Sequence, residues 1–158
     1  MCGDEPLRLV HLADIHFGAA DPRILDAAAR YIKQIAPHAV VVSGDLTQSG
    51  KRREFDAARH WLRGLGLPCA CTPGNHDTPM FQLHHRVLNP FGRYEKYLSE
   101  FSFPLRMGNI RIDGLNTARG WQARRNWAEG SVDLEDLDGI LQRDAAEDIR
   151  LLSCHHPF

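Results

Sequence analysis

Several absences narrow the field before any motif is read. No apolar run in the 158 residues is long enough to span a bilayer. The net charge is −1 with histidine neutral, so nothing draws the chain to nucleic acid or an anionic membrane. Cys2, Cys69, Cys71 and Cys154 include no C-x-x-C pair, which argues against a zinc site or a disulfide framework. Three of the four fall in expected strands, as small buried hydrophobes of a reducing, cytoplasmic compartment do. The acidic start Met1-Cys2-Gly3-Asp4-Glu5 has no signal-peptide pattern. No repeat, low-complexity tract or linker interrupts the chain, so a single domain over 1–158 is expected. What the chain does have is histidine, nine residues in all, and where they cluster matters.

The periodicity alternates strands and helices. Leu7 to Ala13 is mostly apolar and reads as a central strand, running into Asp14-Ile15-His16. Asp21-Pro22 signals a helix start. Ile24, Leu25, Ala28, Tyr31, Ile32 and Ile35 then give an apolar stripe over 22–35, and Pro37 ends it. Ala39 to Val42 is a short β-branched strand that delivers Ser43-Gly44-Asp45. A helix over about 51–65 carries Phe55, Ala58, Leu62 and Leu65 on one face, with Gly66 as its stop. Residues 67–71 form a third strand, which Pro73 terminates because proline has no N–H for the ladder. This order implies a mainly parallel sheet with right-handed crossovers.

The middle is less regular. A short helix is expected between Pro79 and Leu88. Phe91, Tyr94, Leu98 and Phe101 give another helical stripe. Leu105 to Ile112 reads as a β-hairpin around Gly108-Asn109. A loop with Arg119, Trp121, Arg124, Arg125 and Trp127 follows. Asp133 starts a helix with Leu134, Leu137, Ile140 and Leu141 on one face. Ile149 to Cys154 is a last strand, ending at His155-His156-Pro157-Phe158.

Four strands thus end in metal-grade residues: Asp14 and His16, Asp45, Asn75 and His76, then His155 and His156. Each group alone is weak evidence, since Gly-Asp is a common turn and a lone histidine is usually a surface residue. Together they have no economical structural explanation, because a turn needs no imidazole. All are expected at the carboxyl edge of one sheet, where open α/β folds place their chemistry.

Asp14-x-His16, Gly44-Asp45, Gly74-Asn75-His76-Asp77 and His155-His156-Pro157 resemble, in order and context, the calcineurin-like metallophosphoesterases. Gly44-Asp45-Leu46-Thr47 and Gly74-Asn75-His76-Asp77-Thr78 look most like the bacterial class III cyclic-nucleotide phosphodiesterase branch. The resemblance implies an α/β sandwich of two mixed β-sheets flanked by helices. It implies two divalent ions, with Asp14 and His16 on the first, Asp45 shared, and Asn75 and His155 on the second. His76 would face substrate as acid or phosphate stabiliser, with Asp77 orienting its ring. Spacing alone does not choose between His155 and His156 as the ligand.

The physics fits that assignment. A shared carboxylate holds two cations about 3.5–4 Å apart, the spacing for in-line displacement at phosphorus by a hydroxide between them. Mixed oxygen and nitrogen donors suit Mn, Fe or Zn better than Ca. The implied activity is metal-dependent hydrolysis of phosphodiesters, with cyclic nucleotides as one candidate, or of phosphomonoesters. The implied partner is a small phosphate ester, with no role for a membrane and none for duplex nucleic acid; the oligomeric state is left open.

The family pattern continues into a Gly-His-x-His block that has no counterpart here, so the C-terminal part of the domain is expected to be missing and each ion to lack a ligand. His11, His38, His60, His84 and His85 do not match it. His11 is expected to be packed or hydrogen-bonded within its strand, and His84-His85 to be a solvated face or a substrate rim. Two alternatives follow: a metal-binding fragment without activity, and a nucleic-acid end-processing nuclease reading strands through the Arg/Trp loop.

Overall fold

The computed structural model describes residues 6–121, 129–143 and 149–157. The expectations for Cys2, Arg124, Arg125, Trp127 and Phe158 lie outside them. Strand β1 (Leu9–Leu12), helix α1 (Pro22–Ile35), β2 (Ala39–Ser43), α2 (Arg52–Leu65) and β3 (Cys69–Thr72) follow one another as the periodicity requires. Next come α3 (Leu83–Leu88), α4 (Gly92–Leu98), β4 (Leu105–Met107), β5 (Ile110–Gly114), α5 (Leu134–Leu141) and β6 (Ile149–Ser153). No helix among the described residues is long and apolar enough to cross a membrane.

The helix ends follow local chemistry. Asp21 caps α1 by accepting a hydrogen bond from the Arg23 N–H at 2.9 Å, with Pro22 in the first turn. Gly66 closes α2 at φ 68, a left-handed conformation that costs glycine nothing. At the other end of α2, Glu54 turns inward and accepts from the N–H groups of Ser49 and Lys51.

Two three-stranded sheets result. One is parallel throughout, in the order β1-β2-β3. The other, β4-β5-β6, pairs β4 with β5 antiparallel and β5 with β6 parallel. Side chains alternate along β2, and both of its faces are buried. Val40 and Val42 pack with Phe55, Leu62 and Leu98 under the helices. Ala39 and Val41 pack with Met107 and Ile112 of the second sheet. Cys69 and Cys71 lie in the helical layer as free thiols, and burial pushes the Cys69 thiol up to about 11.

Several expectations are corrected. β1 is an edge strand of its sheet among the described residues, not a central one, and His11 on it is exposed. Its ring is hydrogen-bonded to Ser43 Oγ at 2.6 Å, as expected of a strand histidine held in place. Ile24 and Tyr31 point to solvent from α1, as do Leu134 and Leu141 from α5. Helical spacing marks a stripe about 100° wide, and only part of it finds a partner. Most important for the site, β6 does not join the sheet of β1, β2 and β3. It belongs to the second sheet, so the strand ends come from two sheets.

Candidate metal centre

The centre is built where the backbone leaves the strands. After β1, the chain runs beside the segment after β2. His16 N–H donates to the Asp45 carbonyl at 3.0 Å, and Phe17 N–H to the Leu46 carbonyl at 2.7 Å. Asp14, His16 and Asp45 all adopt positive φ, at 55, 54 and 51. Left-handed backbone at a non-glycine residue is disfavoured, so three such residues concentrate strain at this one place.

Asp45 is the hub. Its side chain is almost fully buried, and its Oδ1 accepts from the His76 N–H at 2.8 Å. Its Oδ2 lies 3.9 Å from His16 Nε2 and 3.5 Å from His155 Nε2. Burial works against ionisation, but the His155 hydrogen bond and the His76 N–H hold the Asp45 carboxyl below its ordinary range. Asp14 Oδ1 stands 3.8 Å from the same His16 nitrogen. One donor atom from each of Asp14, His16 and Asp45 lies within 4.8 Å of the others. These gaps are too long for direct hydrogen bonds and leave room for an ion among the three.

A second group meets Asp45 from the other side. His155 Nδ1–H donates to the Ser43 carbonyl at 3.0 Å, which leaves Nε2 facing Asn75 Oδ1 at 3.2 Å and Asp45 Oδ2 at 3.5 Å. A carbonyl behind a histidine fixes the tautomer that metal ligation uses. These are the kinds of atom that ligate divalent ions. The Asp45 carboxylate beside it pushes the His155 imidazole up to about 9. The donor set therefore fits divalent ions at both groups. Here the two adjacent histidines part. His156 is buried in hydrogen bonds with Thr117 Oγ1, at 3.0 Å from both its ring and its N–H, while His155 faces Asp45.

Two glycines permit this approach. A Cβ on Gly44 would lie 2.3 Å from the His155 ring, and one on Gly74 only 2.1 Å from Asp45 Oδ1. Gly74→Ala is therefore expected to push the Asp45 carboxylate aside and lower metal content and hydrolysis together by about tenfold. Elemental analysis beside a rate assay checks it, and full metal content in that variant would refute it.

His76 and Asp77 separate in role. The His76 ring stands edge-on to His16, with centroids 4.9 Å apart. Its Nδ1–H donates to the Gln48 carbonyl at 2.8 Å. Asp77 does not orient that ring, contrary to expectation. It is fully buried, and its carboxylate accepts from Leu46 N–H, Thr47 N–H, Thr47 Oγ1–H and Gly74 N–H. Burial pushes its carboxyl up to about 6, against the pull of those donors. Asp77 thus ties the loop after β2 to the loop after β3. Gln48 and Ser43 were not foreseen, because they act through backbone carbonyls that every residue carries.

Carboxylates and an imidazole gathered at strand ends on an α/β frame form a candidate metal-binding group. The chain belongs to the calcineurin-like phosphoesterases, whose family model matches residues 7–158. It is 30% identical over 128 residues to a probable cyclic nucleotide phosphodiesterase of Synechococcus sp., covering 80% of this chain and 45% of that protein. It is 34% identical over 80 residues to glycerophosphodiester phosphodiesterase GpdQ of Enterobacter lignolyticus, covering 44% of this chain and 29% of the relative. A third relative is UDP-2,3-diacylglucosamine pyrophosphatase LpxG of Chlamydia trachomatis, 31% identical over 74 residues, covering 45% of this chain and 22% of the relative. The chain spans less than half the length of these curated relatives. The crystal structure of TT1561 of Thermus thermophilus superposes with a TM-score of 0.55 at 15% identity, over 93% of this chain and 67% of that one. That likeness is one of fold.

Proposed function

We propose that the chain carries the catalytic centre of a metal-dependent phosphodiesterase. The observation that carries this reading is the convergence of two donor groups on the single carboxylate of Asp45. Asp14, His16 and Asp45 would hold one divalent ion; Asp45, Asn75 and His155 would hold a second. Mn, Fe and Zn suit this mixture of oxygen and imidazole donors. Bound there, such ions supply positive charge to the non-bridging oxygens of a phosphate ester and a water of lowered pKa.

The chain's own residues do the rest. Gln48 keeps the proton on His76 Nδ1, so Nε2 is the atom offered to substrate. A protonated Nε2 would donate to the leaving oxygen. Asp77 acts at one remove, by fixing the backbone that carries Asp45 and His76.

Two of the relatives are phosphodiesterases by name, which favours a small diester, cyclic nucleotides among the candidates. The net charge of −1 disfavours duplex nucleic acid. The buried free thiols Cys69 and Cys71 suit the reducing cytoplasm, and residues 1–158 are read as part of one domain. The test is hydrolysis of a bis-aryl phosphate with nitrophenol leaving groups. With Mn²⁺ present, the wild type is expected to exceed Asn75→Ala by at least about tenfold. Equal rates in the two proteins would count against the reading.

A further inference from the structure

We infer that a cationic groove beside the metal centre binds a second anionic group of the substrate, such as a further phosphate. The inference rests on the phosphodiesterase reading and narrows it. The groove encloses about 550 Å³ and is lined by Lys51, Arg52, Arg53, Gln82, His85 and Arg93. Five of these six side chains are basic and none is acidic.

The arrangement runs against stability. Lys51, Arg52 and Arg53 stand together at the start of α2, where the helix macrodipole disfavours positive charge. Glu54, the acidic residue of that first turn, is buried; it spends one oxygen on backbone N–H groups and the other on Lys51 at 3.7 Å. Asp56 pairs with Arg59 at 2.7 Å. Arg52 and Arg53 form no ion pair among the described residues, whereas Arg23 and Arg63 elsewhere on the surface do. Arg93 of α4, also in the lining, is held by the Gly50 carbonyl at 2.8 Å and by the Gln82 side chain. A guanidinium fixed by neutral acceptors keeps its charge uncompensated for a ligand.

The position ties the groove to the reaction. Residues 46–50 run from Asp45 of the centre to Lys51 of the groove's lining. Gln48 in that loop holds His76, and Gly50 holds Arg93. A substrate with its scissile phosphate at Asp45 would lay an anionic arm along this loop toward the start of α2. The chemistry selected is a phosphate ester with at least one further phosphate, as in a nucleoside diphosphate ester, over a diester with no other charge.

The test has two readouts. In the first, the full chain, dialysed free of divalent ions, is titrated calorimetrically with inorganic tripolyphosphate. Arg52→Ser/Arg53→Ser is expected to weaken binding by about tenfold or more, and salt to weaken the wild type in the same way. Arg30→Ser/Lys33→Ser on the exposed face of α1 removes the same charge and is expected to keep wild-type affinity. In the second, kcat/KM of the metal-loaded protein is compared for nitrophenyl diesters with and without a terminal phosphate on the other arm. The preference for the phosphorylated ester is expected to collapse in the groove variant. Equal tripolyphosphate affinity in wild type and groove variant, or equal weakening in the α1 control, overturns the groove. Failure of all hydrolysis with the binding difference intact removes the esterase reading and leaves the anion site.

Discussion

Asp45→Asn is expected to empty the metal centre and lower kcat/KM for a bis-aryl phosphate on the order of 10³-fold, about 4 kcal/mol of transition-state stabilisation. The substitution is nearly isosteric and can keep the hydrogen bond from the His76 N–H to Oδ1. It removes the charge that faces His16 and His155 through Oδ2. Because that oxygen serves both donor groups, one change weakens both sites. Asp14→Asn touches one group alone and lies at an exposed position, so its loss is expected to be smaller. Elemental analysis and steady-state kinetics on the three proteins check the order. Wild-type metal content in Asp45→Asn would sink the shared-ligand assignment.

Asp77→Asn is expected to destabilise the fold by about 1–3 kcal/mol although it lies outside the donor groups. The Asp77 oxygens take two donors each: Leu46 N–H at 3.2 Å and Gly74 N–H at 3.0 Å on one, Thr47 N–H at 2.8 Å and Thr47 Oγ1–H at 2.9 Å on the other. Turned one way, an asparagine NH₂ meets two backbone N–H donors; turned the other way it meets the Thr47 N–H alone, because Thr47 Oγ1 can accept from it and donate to the His76 carbonyl at 3.0 Å instead. Each orphaned donor costs about 1–3 kcal/mol. Leu46 and Thr47 directly follow Asp45, so the same change is expected to loosen the metal centre. Denaturant unfolding measures the first effect and metal retention the second. A stability loss under about 1 kcal/mol would mean that the loops are held by something else.

Much of the frame was legible in the residues. Asp21-Pro22 and Gly66 set helix ends through capping and backbone freedom, which act within a few residues. Phe55, Ala58, Leu62 and Leu65 declared the buried face of α2 by spacing, and all four are buried. The same rule misplaced Ile24 and Tyr31, because spacing defines a face without saying how much of it a neighbour covers. The strand-end motifs pointed to Asp14, His16, Asp45, Asn75, His76, His155 and His156, and the family resemblance chose five of them as ligands; the fold brings those five, Asp14, His16, Asp45, Asn75 and His155, to one place.

What the sequence determined by itself was therefore local and chemical: the alternation of strands and helices, the caps, and a set of donor types that no turn requires. The tertiary structure decided how those donors meet. β6 brings His155 from a second sheet, since strand pairing is settled between distant segments rather than within one. Asp77 serves the backbone of the β2 loop instead of the adjacent His76 ring, because a buried carboxylate goes to the donors that most need it. His155 is set apart from His156 by the Ser43 carbonyl on one side and Thr117 on the other. Residue types and spacing state which chemistry is available; the packing of two sheets selects the atoms that reach Asp45.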